Sequence, residues 1–250
     1  MILQMVSLVV LGLVFGSFIS ALTWRYPLGI SIAKGRSICP RCKKQIAWFD
    51  NIPLFSFIFL GGKCRNCKKI ISWRYPAIEL STALGFFLTF QGLTLKGEYS
   101  IYSLTIALIL FCILEIIFII DLEHRIIPDL FIFLGLFFSL FIVQNSPLTN
   151  LLSGFVCASF LLIIHLLTKG RGMGLGDVKF AILGGIIVGL PLSPVWLFIA
   201  FLTGALTGII LILSKKAGLK SKVAFGPFLV AAIPVTLVFG NTLLKLIGLV

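Results

Sequence analysis

Apolar runs long enough to cross a bilayer follow one another along almost the whole chain, and that pattern leaves few folds open. Inside lipid every backbone N–H and C=O must be satisfied by the protein itself, so spanning segments are helices or closed barrels. Runs of about 18 or more apolar residues form the helical kind. Candidate spans fall at roughly 2–23, 77–94, 100–120, 129–144, 150–168, 178–191, 194–213 and 225–248, the fourth and sixth being short for the purpose. A hydrophobic share of 59% and a mean hydropathy of +1.15 agree with this reading, since soluble domains carry far less apolar sequence. The expected fold is an all-α polytopic membrane protein of about eight transmembrane helices. The expected organisation is a first helix at 1–23, a loop domain at 24–76 and a seven-helix membrane core at 77–250. The first run has no basic segment before it and meets Trp24 and Arg25 at once, which favours a retained helix over a cleaved signal peptide.

A net charge of +13 raises the possibility of nucleic-acid binding, but the placement of the charge argues against it. If the N-terminus lies outside, the segments 24–76, 121–128, 169–179 and 214–224 face the cytoplasm, and 19 of the 21 Lys and Arg lie in them. Lys96 and Lys245 are the exceptions. This is the positive-inside asymmetry of a polytopic protein. Its partner is the lipid bilayer, and the basic loops also suit anionic headgroups. No nucleic-acid partner is expected.

The loop after the first helix holds four of the six cysteines, as Cys39-Pro40-Arg41-Cys42 and Cys64-Arg65-Asn66-Cys67, with 21 residues between the knuckles. Each CxxC turn places two thiolates on one ion, and two such turns complete a tetrahedral centre. Zinc is the expected metal, iron the alternative that four thiolates also suit. Paired disulfides are the competing reading, disfavoured on a reducing cytoplasmic side. Four thiolates leave no open coordination position, so the centre is structural. Trp24-Arg25-Tyr26-Pro27 and Trp73-Arg74-Tyr75-Pro76 bracket the loop. Their aromatic and basic residues are expected to hold its two ends at the headgroup level. Cys112 and Cys157 lie in apolar helices and read as small hydrophobic residues.

Only eight Asp and Glu occur in the chain, so acids at the edges of apolar runs stand out. Carboxylates are costly to bury there and are candidates for function. Asp121 ends the third expected span, running inward, and Asp177 begins the sixth, starting from inside; the two share one depth. A converging pair that shares a proton can perform aspartyl peptide hydrolysis. Around Asp177 the glycines Gly170, Gly172, Gly174 and Gly176 alternate. Such a loop suits close backbone approach and main-chain binding of an extended peptide. The plain alternative is a turn capped by Asp177 at a helix N-terminus. Asp129, after Pro128, reads as a helix cap and an accessory acid. Glu79 borders the cysteine loop and is a second accessory candidate. Glu115 and His165 lie inside apolar helices and take no assigned role; a satisfied core histidine is the simpler reading of His165.

Taken in order, these residues resemble the prepilin peptidases, or type 4 leader peptidases. The resemblance runs through Gly16-Ser17-Phe18 and Arg25-Tyr26-Pro27, both cysteine knuckles, Asp50-Asn51-Ile52-Pro53 and Tyr75-Pro76-Ala77-Ile78-Glu79. It continues through Asp121 to Asp129 and Gly174-Leu175-Gly176-Asp177-Val178-Lys179. It implies a GxGD aspartyl protease with Asp121 and Asp177 as the catalytic pair, and Gly174, Gly176 and Lys179 in the substrate loop. The implied substrates are prepilins or pilin-like proteins cut after a glycine that follows a short basic leader. The implied location is the bacterial inner (cytoplasmic) membrane, with the active site and zinc loop facing the cytoplasm. Many members also methylate the new N-terminus with S-adenosylmethionine, which is expected here on resemblance alone. A presenilin-type protease, an ion or proton transporter and a scaffold that docks through its zinc loop are the rival readings.

Overall fold

The computed structural model describes residues 2–31, 37–95, 97–143, 147–216, 218, 221 and 223–246. Of the basic residues counted above, Lys34, Arg36, Lys96, Lys220 and Lys222 lie outside the described residues. Among the described residues the structure is helical, without a named strand. The α-helices are α1 (Ile2–Arg25), α2 (Phe55–Phe59), α3 (Arg74–Leu95), α4 (Ile101–His124), α5 (Asp129–Ile142), α6 (Pro147–Leu167), α7 (Leu175–Val188), α8 (Ser193–Leu213) and α9 (Gly226–Leu246). Six of these, α1, α3, α4, α6, α8 and α9, are long and apolar enough to cross a membrane, and the chain is a multi-pass membrane protein.

Eight crossings are not confirmed. Helices α5 and α7 have 14 residues each, or about 21 Å at helical rise, against a hydrocarbon core about 30 Å thick. Hydropathy counts them with the others because a helix buried among helices is as apolar as one facing lipid. In α7 the burial is nearly complete: Phe180, Ala181 and Leu183 are wholly enclosed, and α5, α6, α8 and α9 pack around it.

The chain forms two compact units, Met1–Cys112 and Ile113–Val250. In the first, α1 lies along α3. Their contact can be close because Gly16 has no side chain: a Cβ there would stand 2.6 Å from the Glu79 Cα. Leu8, Phe86, Phe90, Leu104 and Leu108 form the apolar centre of this unit. The Trp73–Pro76 motif ties two helices together. Arg74 donates to the Ser20 carbonyl at 2.9 Å and to Thr23 Oγ1 at 2.8 Å, which clasps α3 to α1.

In the second unit, α6 and α7 approach backbone to backbone. A Cβ on Gly185 would meet the Gly154 Cα at 2.7 Å, the small-residue contact that lets membrane helices gain packing without a hydrophobic drive. Replacing Gly185 with Leu is expected to cost at least the roughly 1–3 kcal/mol of an overpacked core. The effect should read as a lower melting temperature in detergent; an unchanged one would contradict this contact.

Candidate active site

One end of the second unit gathers the end of α4 and the starts of α5, α7 and α9. Asp121 sits in the last turn of α4 and is 5% exposed; Asp177 sits in the first turn of α7 and is 9% exposed. Helix α4 ends where Arg125 turns left-handed at φ +57. Ile126 and Ile127 then lead to Pro128, whose extended backbone caps α5. This short path sets Ile127 against two glycines. A Cβ on Gly176 would meet Ile127 Cβ at 3.2 Å, and one on Gly226 would meet Ile127 Cδ1 at 3.0 Å. Ile127 therefore wedges between the starts of α7 and α9 and draws the two acids toward one place.

The two carboxylates are close enough to repel each other, but their surroundings differ. Asp177, the third residue of α7, accepts the Gly174 N–H on Oδ2 at 3.1 Å. That is the reach-back of a capping box, which satisfies a donor the helix start leaves over. The Gly226 N–H is directed at the Asp121 carboxylate, whose Oδ2 is buried with no hydrogen-bond partner among the described residues. Buried polar atoms are nearly always partnered, and an exception calls for a function. A Cβ on Gly226 would stand 2.5 Å from this Oδ2, so only glycine leaves the oxygen where it is.

Asp129 is engaged elsewhere. It is the first residue of α5, whose N-cap position is taken by Pro128. Both its oxygens accept from Lys179 Nζ, at 2.8 and 2.9 Å. Both partners are about half exposed, and an exposed pair is worth at most about 1 kcal/mol. Its effect is to pin the start of α5 to α7 more than to stabilise the fold. The glycine loop is also engaged with itself. The Gly170 N–H donates to the His165 carbonyl at 2.8 Å, and the Gly172 N–H to Thr168 Oγ1 at 3.1 Å. With the Gly174 amide on Asp177, these amides are already committed.

In the first unit the cysteines Cys39, Cys42, Cys64 and Cys67 form one cluster, with all four sulfurs within 4.8 Å of one another. Each knuckle is built alike. Cys39 N–H donates to the Lys44 carbonyl and Cys64 N–H to the Lys69 carbonyl, both at 2.9 Å, and Lys43 and Lys68 take matching left-handed turns at φ 60 and 57. The N–H groups of Cys42 and Arg41 face the Cys39 sulfur and lower its pKa to about 7 against the opposing effect of burial. The Cys39 and Cys67 sulfurs lie 3.9 Å apart, close to the edge of about 3.8 Å that a tetrahedron with 2.3 Å metal–sulfur bonds requires. The cluster can hold a metal ion.

Two acids brace this loop. Asp50 receives Arg65, from inside the second knuckle, at 2.7 to 3.2 Å on both oxygens, and this hydrogen bonding lowers the Asp50 pKa. Glu79, buried in α3, accepts the Leu54 N–H at 2.8 Å and is bonded by Ser17 of α1. Leu54 is held there at a left-handed φ of 58. The loop, α1 and α3 thus meet on one carboxylate. Between the loop and the adjoining ends of α1 and α3 lies a cavity of about 1090 Å³.

Residues 10–92 match the bacterial peptidase A24 N-terminal domain, and residues 108–209 match the type IV leader peptidase family. The prepilin leader peptidase/N-methyltransferase of Pseudomonas aeruginosa is 30% identical over 95% of this chain and 91% of its own. The chain belongs to the type IV leader peptidase family. The Bacillus subtilis enzyme of the same description is 30% identical over 95% of each chain. The type 4 prepilin-like proteins leader peptide-processing enzyme of Escherichia coli is 35% identical over 87% of each. No solved structure matches this leader peptidase.

Ile127 and Gly226 of this leader peptidase escape the sequence reading. The available signal for Gly226 is the Gly226-Pro227 pair opening an apolar helix, which marks a helix start but not its neighbour. Gly226→Ala is expected to force Asp121 aside and reduce leader cleavage at least about tenfold, the cost of a small misplacement of a reacting group, with helix content unchanged. Cleavage at the wild-type rate by a folded Gly226→Ala protein would show that the carboxylate does not depend on this contact.

Proposed function

We propose that the chain is a membrane aspartyl endopeptidase that removes the basic leader of a prepilin or pilin-like protein after a glycine. The observation that carries this reading is the pair Asp121 and Asp177, two mutually repelling carboxylates buried at the meeting of α4, α7 and α9. Like charges this close favour a single shared proton. In the proposed reaction the ionised member takes a proton from water, whose oxygen attacks the glycine carbonyl carbon. The protonated member donates to the carbonyl oxygen, and the C–N bond breaks as the leaving amine takes a proton from the pair. The pair titrates as a unit. Each acid has a backbone N–H directed at it, from Gly174 and from Gly226, and Asp121 Oδ2 keeps an unused hydrogen-bonding position.

The active site and the cysteine loop face the cytoplasm on this reading, supported by the excess of Lys and Arg in the loops on that side. The metal of the four cysteines is zinc, in a structural role, as the all-thiolate donor set and tetrahedral spacing favour. The names of the relatives also support N-methylation of the newly exposed amine. The cavity beneath the cysteine loop is large enough for S-adenosylmethionine by the usual range of ligand pockets. Its lining includes Trp24, Trp48 and Tyr75, which offer aromatic surface to the adenine, and Arg25, Arg41 and Lys44, which suit the carboxylate. When bound, S-adenosylmethionine supplies the electrophilic methyl group. The substrate amine must be neutral to receive it, and this chain's part is to orient that amine and exclude water.

Asp121→Asn and Asp177→Asn are each expected to lower cleavage of a pilin-like precursor by at least about 10²–10⁴-fold, with Asp129→Asn within severalfold of wild type. Intact-mass analysis of the precursor reads this. Loss of cleavage in Asp129→Asn with retention in Asp121→Asn would move the pair. An organomercurial that titrates the four thiols is expected to release one zinc per chain and to make the segment 37–73 sensitive to added protease. Release of no zinc, or of iron, would overturn the metal assignment.

A further inference from the structure

A histidine outside the carboxylate pair is wired to it through one peptide group. His165 lies in the last turn of α6, two residues before its end. The helix closes with a double reverse bond: the Gly170 N–H donates to the His165 carbonyl at 2.8 Å and the Lys169 N–H to the Leu166 carbonyl at 3.1 Å. This is the Schellman pattern, here with Lys169 at the left-handed position, φ 51. It folds the chain back over the imidazole, so that a Cβ on Gly170 would stand 3.3 Å from His165 Cε1. The returning chain brings the Met173 carbonyl to 2.7 Å from His165 Nδ1. A carbonyl oxygen can only accept, so Nδ1 carries the hydrogen and donates.

The Met173 carbonyl and the Gly174 N–H are two ends of the same planar peptide group. Its carbonyl is held by His165, and its N–H donates to Asp177 Oδ2 at 3.1 Å. Met173 is itself 4% exposed while Gly174 is exposed, so the peptide group is sheltered on its Met173 side. Hydrogen bonds in series polarise and strengthen one another. We infer that His165 is a positioning residue for Asp177, acting through the Met173–Gly174 peptide, which it orients and polarises so that the Gly174 N–H stays on the carboxylate. Neither the sequence pattern nor the family relationship assigns this residue a role.

The inference rests on Asp177 being catalytic, and the test separates the two claims. His165→Asn, whose amide nitrogen replaces Nδ1, is compared with His165→Gln, whose longer amide reaches past it, and with His165→Ala. The full-length protein in detergent is assayed on a pilin-like precursor, and hydrogen exchange of the segment 170–177 is followed by mass spectrometry. His165→Ala and His165→Gln should lower kcat between about 10- and 100-fold with KM within about twofold, the signature of a displaced reacting group, and should speed exchange in that segment. His165→Asn should restore both. If Asn is no better than Gln in rate and exchange, or if Ala matches wild type in both, the relay is wrong. Should His165→Ala fail to fold, the Asn and Gln comparison still decides. Asp177→Asn is run alongside: if it cleaves like wild type, the peptidase assignment fails, and the exchange data still judge the relay.

Discussion

Keeping two carboxylates together inside an apolar bundle is the constraint on which the second unit is organised. Each ion loses several kcal/mol of hydration on burial, and Asp121 and Asp177 repel each other as well. The fold meets this with backbone in place of counter-charges. Gly174 N–H sits on Asp177, Gly226 N–H is directed at Asp121, and both donors come from the beginnings of helices. Helix starts carry unpaired N–H groups and partial positive charge, so the ends of α7 and α9 are suited to hold acids without neutralising them. Lys179, the nearest cation on α7, is occupied by Asp129. A lysine placed on either acid would lock it as a carboxylate and, on the proposed mechanism, remove the shared proton.

The first unit solves a different problem. Among the described residues of the loop at 24–76 only Cys39 and Pro76 are buried, and a module with so small a core commonly needs a metal or other cross-link. The four clustered sulfurs can hold such an ion, and the Asp50–Arg65 pair and Glu79 brace the loop as well. Glu79 joins the loop to both helices, through Leu54 on one side and Ser17 of α1 on another. The cavity that results is bounded by the loop and by the ends of α1 and α3, which is a reason for a membrane enzyme to carry such a module.

Much of this was legible in the sequence, because the governing signals are local. Apolar length marks the helices, CxxC spacing marks the cysteine cluster, and acids at the ends of apolar runs mark the pair. Where the structure adds to that reading, the reason is that local pattern does not report what lies across the fold. Residues 178–191 read as a span, yet α7 covers Leu175–Val188 and is enclosed by its neighbours. Asp129 read as a cap, yet it is partnered by a lysine fifty positions away. The alternating glycines suggested an open binding loop, whereas several of their amides are spent within it. Gly226, Ile127 and the clasp made by Arg74 are all long-range contacts that no spacing announces. The short α2 and the 3-10 turn Trp48–Asn51 fall below the length at which periodicity is readable.

The central claim is that Asp121 and Asp177 face each other across one site. The most direct measurement is thiol cross-linking in native membranes of a chain carrying Asp121→Cys and Asp177→Cys, with Cys112 and Cys157 replaced by Ala. The account predicts a rapid cross-link between the two introduced thiols under mild oxidation or with a short bifunctional reagent, detected as a linked peptide pair by mass spectrometry. Two thiols that each react with a small alkylating reagent yet never link to one another would contradict it.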